Sequence, residues 1–211
     1  MAQPFPVFVF CSTISGMSYK TYTMQALVCG SRASFTSDKS YLLFTKEVGM
    51  LWATARSVRV EKSKQRMALQ DFSMVRVSLI KGKTGWRIGS VEAHANAFLA
   101  AENRAVRGGI AFVVKALRQY VHGEVEVPRA FADMQSVLDR LVTESTPEDI
   151  AVYQQLFILR LLEELGYIAV PQEFRVYIET KDLHGAFTIY DNTHDARITQ
   201  HIEHAKKVSH L

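Results

Sequence analysis

The chain reads as an α+β protein, with a five-stranded β-barrel at its amino-terminal end followed by an α-helical domain. Three observations carry that reading. Between Tyr22 and His94, short β-type runs are separated by turn residues, with the clearest alternation at Val75, Val77 and Leu79. Beyond about Ala93 the spacing of apolar residues becomes that of an α-helix. The charge changes sign as well: residues 1–90 hold thirteen Lys and Arg against four Asp and Glu, a net +9, while residues 91–211 hold twelve against seventeen, a net −5, leaving the chain at +4. Such a split suits a module that meets a polyanion joined to a part with another task, because phosphate contacts need concentrated cations. Charge drift over two solvated faces gives the same totals, so charge alone leaves both readings open.

Five strand runs follow in order: YTMQALVCGSR, YLLFTKEVG, MLWATARSV, FSMVRVSLIKG and WRIGSVEAH. In the fourth, Val75, Val77 and Leu79 share one face while Arg76 and Ser78 take the other, as a half-buried strand requires. Val48-Gly49 punctuates the second and third runs, and Lys81-Gly82-Lys83-Thr84-Gly85 forms a hairpin between the fourth and fifth. Ser57 to Gln70 is too long for a tight turn and reads as an exposed, cation-rich connection. Five antiparallel strands in about 75 residues supply a small closed barrel of the OB type, whose face and loops commonly hold oligonucleotides. An SH3-like barrel fits the same pattern. The expected division is a barrel over 19–94 and a helical domain over 95–211, with 1–18 a disordered extension or a misplaced start.

In the second half, residues 95–121 carry Phe98, Leu99, Val106, Ile110, Val113, Val114, Leu117 and Val121 at helical spacing, interrupted near Gly108-Gly109, which predicts two helices or one bent one. Pro128 opens another helix, since its fixed φ suits a first helical position. Thr146-Pro147-Glu148-Asp149 is a strong start signal, with a capping hydroxyl and two acids at the positive end of the dipole. That helix should end at Gly166. It is apolar on more than one stripe through Leu156, Phe157, Ile158, Leu159, Leu161, Leu162 and Leu165, as a central helix would be. Residues 170–193 read as irregular or briefly extended, and Asp195 to Val208 as a last helix.

The 211 residues are 48% hydrophobic and 22% charged, ordinary for a packed globule. The run Val7 to Cys11 is far too short for a membrane span and has no cation before it, so the expected address is the cytoplasm. Cys11 and Cys29 are too few for a disulfide framework or a zinc site and read as free buried thiols. Of the tail histidines His184, His194, His201, His204 and His210, only His201 and His204 would share a helix face, so no metal is expected. Gly82-Lys83-Thr84 is not a phosphate loop, because the glycine required five residues earlier is Val77. No nucleophile elbow, zincin motif or paired carboxylate stands in a barrel loop, and neither catalysis nor a cofactor is expected.

The cations that could meet phosphate are Lys46, Arg56, Arg59, Lys62, Lys64, Arg66, Lys81, Lys83 and Arg87. Six of them neutralising phosphates of a single strand would set a log–log salt slope near −4, at about 0.7 per phosphate. The other reading is that they keep an edge strand soluble. Phe35, Tyr41, Trp52 and Trp86 are available to stack on bases or to fill the core.

Taken in order, these features resemble the RecO family of bacterial recombination mediators. The residues are the strand opening with Tyr22-Thr23 and ending near Ser31-Arg32; Ser37-Asp38 ahead of LFTKEVG; ALQDFS after a basic loop; the strand pair ending in Ser90-Val91-Glu92; and LFILRLLEELGY. They span about residues 20–167. The resemblance implies a non-enzymatic protein of DNA repair and recombination that binds single- and double-stranded DNA, anneals complementary strands, and acts with RecR and single-stranded-DNA-binding protein to load RecA in the nucleoid. DNA contact would carry over to Arg56, Arg59, Lys62, Lys64 and Arg66. The family's glycine in that segment falls here within Arg56-Ser57-Val58. The four zinc-ligating cysteines of many members are absent from residues 168–211, so no zinc site carries over. A groove in the helical domain would seat the acidic tail of the single-strand-binding protein, with Arg118, Arg160 and Arg175 as candidate cations. An RNA-binding barrel and a protein-interaction adaptor remain as other readings.

Overall fold

The computed structural model describes residues 20–34, 37–58, 64–143 and 146–208. The expected extension at 1–18, with Cys11, lies outside the described residues, as do Phe35, Arg59, Lys62, the Lys64 side chain and His210. By their contacts the described residues group into two compact units, one holding those up to Thr45 with those from Leu51 to Ala95, the other Lys46–Met50 with those from Asn96 onward.

The first unit is built on β1 (Thr21–Ala33), β2 (Lys39–Thr45), β3 (Gly49–Ala55), β4 (Ser73–Gly82) and β5 (Gly85–Asn96). They run in the order β1-β2-β3-β5-β4, and the sheet closes on itself because β1 is long enough for two partners. Its first half, Thr21 to Leu27, pairs antiparallel with Ile80 to Met74, and its second, Ala26 to Ala33, with Thr45 to Lys39. A register shift between Val28 and Gly30 inserts one extra residue, Cys29, and such a bulge bends a strand. β5 lies parallel to β3, with Ala53 beside Trp86 and Thr54 beside Arg87. A parallel pair needs a crossover, which here runs through α1 (Lys64–Ala68) and β4. α1 is a turn of helix that the pattern of Ser57 to Gln70 did not reveal.

Leu51, Ala53, Val75, Val77 and Leu79 are buried within this unit at the period of two, while β1 and β2 bury consecutive residues such as Leu27-Val28 and Leu43-Phe44. Tyr41 and Trp86 are buried with them, so two of the four expected stacking residues belong to the core. Cys29 is a free buried thiol.

The second unit is helical: α2 (Ala97–Ala100), α3 (Arg104–Tyr120), α4 (Pro128–Thr143), α5 (Pro147–Glu164), α6 (Arg175–Glu179), α7 (Leu183–Thr188) and α8 (Asp195–Val208). The expected break at Gly108-Gly109 is corrected: α3 runs through both glycines, and the chain breaks instead at Ala101–Asn103, where the Asn103 side chain accepts the Val106 N–H. Gly109 serves packing, since a Cβ there would stand 3.0 Å from both Ile150 Cγ2 and Leu141 Cδ1. Residues 170–193 are also corrected, from irregular or extended to α6 and α7 with single turns at Gln172–Phe174 and Asn192–His194.

α5 begins and ends as its sequence dictates. Thr146 and Asp149 form a reciprocal capping box, and Pro147 follows at the first turn. At the other end Gly166 takes φ +75°, its N–H donating to the Glu163 carbonyl and that of Tyr167 to Leu162, the paired bonds of a Schellman stop. Leu156, Phe157, Leu159, Leu161 and Leu162 are buried against α3, α4, α7 and α8.

Candidate nucleic-acid interface

Alternation along β3 sets out the first part of the surface. Leu51, Ala53 and Ala55 point inward, leaving Trp52, Thr54 and Arg56 on the outer face. Trp52 is 39% exposed, which sets an indole on the outer face of the strand. Its ring carries the Arg32 guanidinium, with Cζ 4.1 Å from the centroid. Arg32 reaches it from the end of β1, where it pairs with Ser40 of β2, and Ser40 Oγ lies 3.2 Å from Thr54 Oγ1. On the other side, the parallel register sets Arg87 beside Thr54. Arg32, Trp52, Thr54, Arg56 and Arg87 thus follow one another across neighbouring strands.

Beside Arg56 the chain turns through Ser57, whose φ is +53°, in the left-handed region that favours glycine. Asp38 holds it there, its carboxylate accepting the Ser57 N–H at 2.9 Å. Glycine would adopt that conformation without strain. Arg66, on α1, is exposed.

The remaining cations stand elsewhere. Lys46 is exposed in the turn between β2 and β3, at the opposite end of β3 from Arg56, roughly 20 Å along the strand. Lys83 lies in the turn between β4 and β5, and Lys81 stacks over Trp86 with Nζ 4.9 Å from the ring centroid. Tyr22 packs edge-on against that same ring and carries Lys20 5.1 Å from its own. Sequence reasoning missed Arg32, whose partnership with Trp52 joins residues from different strands. The available signal was Trp52 itself, an indole at an outward position of β3.

In the helical unit, Arg118 is exposed and Arg175 pairs with Glu179 at 3.5 Å. Arg160 is corrected: its guanidinium is buried, not offered to a partner. It donates to both oxygens of Asp133, at 2.7 and 3.2 Å, and to the Tyr177 and Ile178 carbonyls and the Thr180 hydroxyl. Burial holds the Asp133 carboxyl above its ordinary range, outweighing the hydrogen bonds and charge of Arg160, which act to lower it. The histidines bond internally: His184 Nδ1 to Tyr153 Oη at 3.0 Å, His194 Nδ1 to Tyr177 Oη at 2.9 Å, and His201 Nε2 to the Ala169 carbonyl at 3.1 Å. Among the described residues no three His, Cys, Asp or Glu are placed to hold a metal, and no helix is long and apolar enough to cross a membrane.

Two curated proteins, each named DNA repair protein RecO, from Desulfitobacterium hafniense strains DSM 10664 / DCB-2 and Y51, are similar to the chain. Each is 41% identical over 63 residues, 30% of this chain. The match spans 23% of the length of those relatives. No family model matches the chain.

Proposed function

We propose that the outer face of the first unit binds single-stranded DNA, on a small Greek-key barrel of the OB type, and that the protein acts in DNA repair and recombination. The observation that carries this is the Arg32–Trp52 stack, continued by Thr54, Arg56 and Arg87. An exposed indole gives a base a π-face to stack on, and guanidinia in the same row meet the phosphates that follow it. The strand order, with β5 parallel to β3 and a helix before β4, agrees with a Greek-key barrel whose second and third strands face ligand. The short similarity to DNA repair protein RecO agrees with the chemistry.

On this reading the chain is a mediator and not an enzyme. It anneals complementary strands and works with RecR and single-strand-binding protein in the nucleoid, Arg118 and Arg175 remaining candidates for that protein's acidic tail. Fluorescence anisotropy with a labelled single strand tests the interface. Trp52→Ala should cost about 1–3 kcal/mol of binding while leaving the salt slope unchanged. Unaltered affinity would move the site elsewhere, and preferential displacement by RNA of equal length would favour the RNA-binding reading.

A further inference from the structure

Beside β5, where α1 and the turn after β3 come up to it, the outer surface is not flat. Arg56, Gln65, Ile80, Arg87, Ile88 and Gly89 line a cleft of about 340 Å³, within the size range of small-ligand pockets. Ile80 gives it an apolar side and two guanidinia stand at it, while Ile88 is buried on the inward face of β5 with Trp86. The Gln65 side-chain amide donates to the Gly89 carbonyl at 2.9 Å, fastening α1 to β5 so that the cleft is preformed.

Gly89 leaves the cleft open. It lies within β5 and is not among the residues of positive φ, so the backbone does not require a glycine there. Nor does crowding, because a Cβ would meet Ile80 Cδ1 and the Ser78 carbonyl at 3.5 Å, ordinary contact distances. A glycine inside a strand marks a bulge, a barrel bend or a close approach by a ligand or another backbone, and at Gly89 the missing side chain leaves room for a ligand.

We propose that this cleft takes one unstacked nucleobase of the bound strand, one face of it against Ile80 and its flanking phosphates on Arg56 and Arg87. The assignment rests on the interface reading above and deepens it, since it makes the favoured substrate single-stranded. A duplex can fill such a cleft only by flipping a base out of its stack, at a cost in free energy that a single strand does not bear. The cleft holds no aromatic ring, so the base it takes is distinct from the one stacked on Trp52.

Gly89→Val fills the cleft from β5 and should weaken binding of an oligothymidylate about tenfold while leaving binding of a duplex of equal length unchanged. Wild-type affinity in Gly89→Val, or an equal loss on duplex, would overturn the cleft as a base site. A second measurement needs no change at Gly89. In Trp52→Ala, where the stacking platform is gone, an oligothymidylate should still bind about tenfold tighter than an abasic strand of equal length. Equal binding of the two would overturn the proposal. If Trp52→Ala weakens binding and Gly89→Val does not, the cleft fails alone; if the wild-type protein ignores the single strand, the interface reading fails with it.

Discussion

Ser57 shows how one residue can be strained for the sake of its neighbours. A side chain at φ +53° costs about 1–2 kcal/mol relative to ordinary backbone, and the Asp38 carboxylate offsets part of that through its bond to the Ser57 N–H. Glycine removes the steric cost but adds freedom to the unfolded chain, worth about 0.5–1 kcal/mol. Ser57→Gly should therefore stabilise the protein by up to about 1 kcal/mol, read as a rise in the denaturation midpoint with an unchanged slope. A loss of stability would mean the serine hydroxyl contributes more than the backbone strain takes away. Arg160 marks the opposite limit of residue-scale reading. Nothing near it in sequence announces that Asp133 and the carbonyls of Tyr177 and Ile178 converge on its guanidinium, so a cation on a helix was read as surface.

Elements were legible where a local cause sets them. Thr146, Pro147 and Asp149 fix the start of α5, and Gly166 its end, through bonds made within a few residues. Alternation in β4 shows in its sequence for the same reason. Misreadings arose where a distant partner decides. Gly108-Gly109 continues a helix because Ile150 and Leu141 need the room at Gly109, and residues 170–193 wind into short helices held by their packing on α5. Since α5 is packed by α3, α4, α7 and α8, truncating Leu159, which has no exposed surface, should leave a cavity that several elements cannot jointly collapse. Leu159→Ala should cost about 2–5 kcal/mol. A cost below about 1 kcal/mol in denaturant unfolding would show that α5 is not the centre of its unit.

Across the whole molecule, the proposed interface was legible only as a surplus of cations, because composition records how many charges there are and strand register decides which of them meet. The net +4 is the small remainder of a positive first half and a negative second half, and it is not the quantity that governs binding to a polyanion. At physiological salt, charges further than about 8 Å from a phosphate are largely screened, so only cations at the bound strand release counterions. Arg56 and Arg87 stand in the row with Trp52, whereas Arg118 and Arg175 belong to the helical unit. Arg56→Ala and Arg87→Ala together should reduce the magnitude of the log–log salt slope for single-stranded DNA by about 1.4, at about 0.7 for each phosphate no longer neutralised. Arg118→Ala and Arg175→Ala, which change the net charge by the same amount, should leave that slope unaltered. Equal flattening by both pairs would mean that total charge, not the row on β3 and β5, draws the nucleic acid in, and the interface would then have to be sought beyond those strands.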